Sequence, residues 1–454
     1  MERKYIFVIS LFLTLLSSCQ SGKNLSDKYT TKPDWVLAKP QTSSYYVGVS
    51  SAPKKGYSPG EYIQSAQQKA LADMAASISV TIESSSVLSR IEDNYKLYEN
   101  FSSEINATTN QSLENYELVS SWEDENYYWV YYRLSKNVYK EQKERKKQQI
   151  LSESKNKLRQ ADDLLAKGSY YSAFQFYADA FNVLKPYLGE STQTEINGKS
   201  EDLGNYIFTK LAEFINDISI KFAKSEIVAK KAVNLDADIF AFSVLYKTNN
   251  TMSNIPVKIN FTGSGLLRNS EISDSDGKIF CSIKKINSSP GVETLSASVD
   301  VLALSKVATD PMIRNIIKNI PATENKVRVK VEKPTIKIIS SEKSFGKELN
   351  NEKLKKAFQS VLGSEFVFAI DDEYDFLLDI TSNTTKNEQR GRDQSVAINY
   401  TFVLTDISGK NIFRKSSSNS YYGVSFEEAN TKAYSEISTT IERFIAKDLI
   451  NSLK

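Results

Sequence analysis

Tyr45-Tyr46-Val47-Gly48-Val49-Ser50 is the stretch from which the fold is read. Aromatic and β-branched residues in a row make a strand. Reading forward, Pro53, Gly56, Pro59 and Gly60 turn the chain into a loop. Ala66, Ala70, Met74 and Ile78 then recur every four residues, with Ala75 beside them. That spacing predicts a helix whose small side chains let it lie close on a sheet. Residues 80–87 read as β-like, and residues 116–119 and 127–134 as strands. In the last, Tyr128, Val130 and Tyr132 alternate with Trp129, Tyr131 and Arg133. Reading backward, Pro33-Asp34-Trp35-Val36 is an extended lead-in carrying an aromatic plug. Strand, helix and further strands predict an α+β domain over residues 33–139.

The order and spacing of these motifs resemble the bacterial Lpp-twenty lipoproteins. That resemblance implies a compact α+β domain in an envelope lipoprotein, with no catalytic residues to carry over. The start of the chain agrees with it. Met1-Glu2-Arg3-Lys4 leads into an apolar run over residues 5–16, too short to span a membrane, and Leu16-Ser17-Ser18-Cys19 follows. This resembles the bacterial lipobox. It implies residues 1–18 as a signal peptide cleaved between Ser18 and Cys19, with Cys19 acylated by palmitate-type chains. Two or three buried chains, at about 0.8 kcal/mol per CH₂, anchor stably. Residues 19–32 are polar and read as a flexible tether. Gln20 stands where Asp would favour inner-membrane retention, and no acidic run follows. The expectation is an outer-membrane, periplasm-facing protein.

Composition narrows the chemistry. The chain has no histidine, which removes the commonest general base and metal ligand and the histidine-based nucleophile systems. Its two cysteines include Cys19, so Cys281 has no intramolecular disulfide partner and no cysteine zinc site forms. No Gly-rich phosphate loop occurs. A net charge of +3 gives no nucleic-acid footprint.

Beyond residue 139 the reading is of a multidomain α+β chain. Residues 140–236 read as a helical region. Within it, Leu164, Gly168, Tyr171, Tyr177 and Ala180 resemble one tetratricopeptide hairpin, and a second helix pair is expected over 204–233. Residues 237–332 carry strand candidates at 239–247, 257–262, 279–286 and 294–302, resembling an Ig-like β-sandwich. Asp276-Gly277 before a strand is a hairpin turn, which accounts for Asp274, Asp276 and Asp300 better than a calcium site does. Cys281 is expected buried in mid-strand.

Residues 333–454 read β-α-β-β-β-β-α, with both helices on one face of a sheet. Glu373-Tyr374-Asp375-Phe376-Leu377-Leu378 and the hairpin at Asp406-Ile407-Ser408-Gly409-Lys410 resemble TolB N-terminal-like domains. These include lipoprotein activators of penicillin-binding proteins, which act by binding. Asp371, Asp372, Glu373 and Asp375 read as loop residues rather than an acidic site. The chain also echoes itself. Ser420-Tyr421-Tyr422-Gly423-Val424-Ser425 resembles residues 44–50, and Ala429, Lys432, Ala433 and Ile441 repeat the spacing of Ala66, Lys69, Ala70 and Ile78.

The functional expectation is a lipid-anchored, non-enzymatic scaffold or regulatory adaptor for envelope proteins. Its sharpest form is a cell-wall synthase activator. The alternatives are a surface adhesin or glycan-binding lipoprotein, and a cell-wall glycan hydrolase working through paired carboxylates. Trp35, Tyr45, Tyr46, Tyr421 and Tyr422 are the candidate partner contacts. The membrane, envelope proteins and peptidoglycan are the expected partners. No cofactor, metal or nucleic acid is expected.

Overall fold

The computed structural model describes residues 31–78, 87, 113–387 and 393–453. Cys19, Ser18, the signal peptide and the expected strand at 80–87 fall outside them, apart from Val87. The protein mixes helix and strand in several separate sheets, an α+β multidomain architecture. Its contacts divide it into two compact units, and the chain passes from one to the other between Gln148 and Gln149.

The first unit opens with a short helix, α1 (Asp34–Leu37), where an extended lead-in was expected. Pro33 sets the entering turn and Asp34 supplies negative charge at the helix start. Strand β1 (Tyr45–Pro53) leads to α2 (Pro59–Ala76), which starts at a capping box. Ser58 donates its backbone N–H and hydroxyl to Glu61 at 2.8 and 2.9 Å. Strands β2 (Glu117–Glu123) and β3 (Tyr127–Ser135) complete an antiparallel sheet in the order β1-β3-β2. Ala66 and Ala70 of α2 meet Ala52, Val130 and Tyr132 in the core. Close approach needs Gly48: a Cβ there would overlap the carbonyl oxygen of Ala70 and lie 2.8 Å from Met74 Cβ. Helix α3 (Lys136–Ala166) leaves this unit for the second.

In the second unit, α3 turns at Gly168 (φ +77°) into α4 (Tyr170–Leu184). Tyr177 and Asp162 tie the two helices by a 2.6 Å hydrogen bond. A hairpin of β4 (Gln193–Ile196) and β5 (Lys199–Asp202) precedes α5 (Leu203–Asn216). Asp202 caps α5 by accepting from Asn205 N–H at 2.9 Å. The expected second helix pair is corrected here. After α5 come two strands, β6 (Ile218–Phe222) and β7 (Glu226–Lys230), so residues 140–236 are not wholly helical. Ile218 and Ile220, then Ile227 and Ala229, are buried at every second position, a strand period that a helical reading absorbs.

The next strands are β8 (Ala241–Tyr246), β9 (Asn250–Thr251), β10 (Pro256–Phe261), β11 (Ser270–Ile272), β12 (Lys278–Phe280) and β13 (Gly291–Val299). Helices α6 (Val301–Leu304) and α7 (Pro311–Lys318) intervene before β14 (Asn325–Glu332). One sheet runs β11-β10-β13-β14-β7, the other β12-β8-β6 with β9 beside β8. Strand β7 pairs parallel to β14, so the sheets recruit residues assigned to the helical region and depart from an all-antiparallel Ig-like sandwich. Cys281 lies just past β12 rather than in mid-strand, and it is buried.

The last sheet is built of β15 (Thr335–Ser344), β16 (Lys347–Glu348), β17 (Val367–Phe368), β18 (Phe376–Lys386), β19 (Gln394–Asp406) and β20 (Asn411–Gly423). Their order is β16-β15-β18-β19-β20, with β17 also on β15. Helix α8 (Lys353–Leu362) lies between β16 and β17, and α9 (Phe426–Thr440) follows β20. The long terminal helix is interrupted by a π turn at Ile441–Ile445 before α10 (Ala446–Asn451). Phe358, Tyr434, Ile437 and Leu449 from the helices pack on Phe376, Leu378 and Phe402 of the strands, so the helices cover one face. Lys230 with Asp375 (2.8 Å) and Lys231 with Glu365 (2.6 Å) join this region to the preceding sheets. The boundaries at 236/237 and 332/333 therefore lie inside one compact unit.

Candidate functional site

In the first unit, the strand period assigns each aromatic ring to a face. Along β3, Tyr128, Val130 and Tyr132 turn toward α2. Trp129, Tyr131 and Arg133 therefore turn to the opposite face. The register places Trp122 across from Trp129, and Tyr131 across from Val49. On this face Trp35 of α1 lies against Tyr131, with ring centroids 5.8 Å apart. The Arg133 guanidinium sits 4.6 Å from the centre of the Tyr45 ring and pairs with Glu117 at 2.9 Å. Lys32 lies 5.7 Å from Trp122 and 5.8 Å from Trp129. The result is a half-buried strip of rings with cations over it, in which the indole N–H of Trp129 is buried without an acceptor.

Of the three expected contact residues in the first unit, Trp35 and Tyr45 share this face. Tyr46 is the next residue along β1 and points to the α2 side, edge-on to Tyr139 at 5.5 Å and under Lys136. Tyr421 and Tyr422 belong to the second unit and also part to opposite faces. Tyr421 packs on the C-terminal core, and burial raises its pKa, with Glu436 adding to the effect. Tyr422 is 43% exposed. Sequence reading missed Trp122, Lys32 and the role of Arg133. The alternation in β3 identifies one face, but the cross-strand pairing that adds Trp122 is not visible in a single strand.

The acidic residues singled out in the sequence serve local structure. Asp274 accepts from the N–H groups of Asp276 and Lys278 at 2.9 and 2.8 Å, closing the turn at Gly277. Asp300 caps α6 through Ala303 N–H at 2.9 Å. Asp375 accepts from Lys230, Thr335 N–H and the Thr335 hydroxyl, and Asp372 pairs with Lys337. Asp371 accepts from Glu373 N–H. Burial pushes the Cys281 thiol up to about 12, so it stays protonated. Among the described residues no group of three or more metal-ligating side chains converges.

The LPP20 lipoprotein family matches this chain over residues 33–131. Similar solved structures include a minor lipoprotein from Acinetobacter baumannii. It is 10% identical, with 26% of this chain and 91% of that one covered and a TM-score of 0.19. A lipoprotein from Neisseria meningitidis is 13% identical, with 23% and 99% covered and a TM-score of 0.17. No curated protein matches the chain.

Proposed function

We propose that the protein is a lipid-anchored lipoprotein of the bacterial envelope, acting as a non-catalytic scaffold or regulatory adaptor for envelope proteins. The observation that carries the reading is the LPP20 lipoprotein match over residues 33–131, beginning 14 residues beyond the cysteine of Leu16-Ser17-Ser18-Cys19. In this reading Cys19 carries the lipid and the protein faces the periplasm from the outer membrane. The aromatic strip of the first unit offers a contact surface. Asp274, Asp300, Asp371, Asp372 and Asp375 are held in turns, a cap and ion pairs, which speaks against hydrolysis at those carboxylates. A helical hairpin, read as tetratricopeptide-like, and the paired sheets support a TolB-like C-terminal region within the same compact unit.

The test combines palmitate labelling with affinity purification after mild crosslinking. The wild-type protein should take up label and retain envelope proteins, and Cys19→Ser should lose the label and most of the retained proteins. Label persisting in the variant would refute anchoring through Cys19. An empty crosslinking result at native expression would refute the adaptor role.

A further inference from the structure

Among the described residues, the C-terminal sheet ends on a long strand that pairs on one side only. At the other end β15 carries β16 and β17 on its flank, whereas β20 runs 13 residues with one neighbour, β19. Asn387 N–H donates to Ser395 O at 2.9 Å, so odd-numbered residues of β19 bond to β18. Even-numbered residues then bond to β20. The register pairs Phe402 with Lys415 and Tyr400 with Ser417, which assigns the odd-numbered residues of β20 to the inner ladder. The N–H and C=O groups of Arg414, Ser416, Ser418 and Ser420 consequently point out of the sheet. Among the described residues, none of these groups has a hydrogen-bond partner beyond the sheet.

The side chains along this edge define what fits. Arg414 and Lys415 stand on successive positions and so on opposite faces. Neither has an ion pair among the described residues, and no acidic residue occurs within β20. Ser416-Ser417-Ser418-Asn419-Ser420 follows, small and uncharged. Charges on an edge discourage indiscriminate strand pairing and favour a partner that neutralises them. A second copy brings the same two cations and no acid, so charge disfavours self-pairing.

We infer that β20 is a docking edge for an extended segment of a partner protein, added as a further strand. The segment carries acidic residues opposite Arg414 and Lys415 and small residues along the serine run. Main-chain hydrogen bonds hold it, and the two cations select it. This names a contact for the adaptor reading above and rests on that reading.

The test uses the full-length lipidated protein in its producing cells, with a photo-crosslinking residue at position 416 and cross-links mapped by mass spectrometry. The expected product joins position 416 to an acidic extended segment of another protein. Ser418→Pro removes one outward N–H while sparing the inner ladder, and should cut the yield at least tenfold with the circular dichroism unchanged. Arg414→Glu with Lys415→Glu should do the same and decides the matter if the proline variant misfolds. Yields undiminished in folded variants would overturn the inference, as would cross-links only to a second copy. So would no cross-link while the wild-type protein still retains partners, an outcome that leaves the adaptor reading intact. No partner by either route would sink both.

Discussion

Twice the chain folds an aromatic strand into a following helix, once at β1 and α2 and once at β20 and α9, and the two junctions are built differently. Both helices start at a Ser-x-x-Glu box, Ser58 to Glu61 and Ser425 to Glu428. Both strands carry a glycine where the helix lies. Gly48 sits under the middle of α2, at Ala70 and Met74, whereas Gly423 sits under the start of α9, 2.7 Å from Ala429 N were it to carry a Cβ. The longer loop after β1 lets α2 return along its strand, while α9 begins almost at once. Strand β1 pairs with a strand that follows it, and β20 with one that precedes it. The resemblance is therefore one of local packing, and the different strand order argues against a simple duplication.

The edges differ as well. Asp73 of α2 accepts the N–H of Val49 at 3.0 Å and pairs with Lys39 at 2.8 Å, so β1 is partly closed by its own helix. The corresponding residue of α9 by spacing, Glu436, is exposed. One junction guards its edge with a helix carboxylate, and at the other the corresponding carboxylate is exposed.

The largest effect should come from the glycines. Gly48→Ala would meet the Ala70 carbonyl oxygen at 2.0 Å and should cost the first unit about 3 kcal/mol, against about 2 kcal/mol for Gly423→Ala, whose nearest backbone atom lies at 2.7 Å. All three tryptophans, Trp35, Trp122 and Trp129, belong to the first unit, so their fluorescence in a urea titration reads that unit alone. Equal costs at the two glycines would mean that the two packings are more alike than the geometry shows.

Next come the caps and the closed edge. Ser58→Ala and Ser425→Ala should each cost about 1 kcal/mol, the first by removing a hydroxyl bonded to the Glu61 carboxylate and the second by removing the acceptor of Glu428 N–H. Asp73→Ala should cost about 1 kcal/mol, since its ion pair is partly exposed and adds little beyond the hydrogen bond. It should also make the protein associate as concentration rises, by freeing Val49 N–H. Sedimentation of the variant tests this: a monomer at all concentrations would show that Asp73 does not guard the edge.

Most of the strands were legible because alternation is a local signal: residues 127–134 and 396–406 read correctly from aromatic and β-branched periodicity. Strands β6 and β7 were not, because Ile218 also continues the apolar face of α5 and the strands find their partners at least 20 residues away. The aromatic strip was half legible. Adjacent tyrosines look like one surface in sequence, yet a strand sends Tyr45 and Tyr46 to opposite faces. Trp122 and Lys32 join the strip only through pairing and a chain crossing that no single segment encodes.

The smallest effect is a difference in acid response, and it has opposite signs in the two units. Glu61 accepts hydrogen bonds from Ser58, which lower its pKa. Its contribution is complete above the unfolded value, about 4.3, and is lost as pH falls through the lower folded value. Glu342 is 2% exposed and caps α8 by accepting the N–H groups of Leu354 and Lys355, each at 3.0 Å. Burial raises its pKa despite those two bonds. Its contribution is complete below the unfolded value and is lost as pH rises through the higher folded one. Acidification from neutral should therefore strengthen the Glu342 term before it weakens the Glu61 term. Urea midpoints taken at several pH values separate them, with tryptophan fluorescence following the first unit and circular dichroism the whole chain. Glu342→Gln should flatten the rise in the second unit's midpoint on acidification, and Glu61→Gln should flatten the fall in the first. If Glu342→Gln left the second unit's pH slope unchanged, the carboxyl would titrate alike in the folded and unfolded chain, and burial would not raise its pKa.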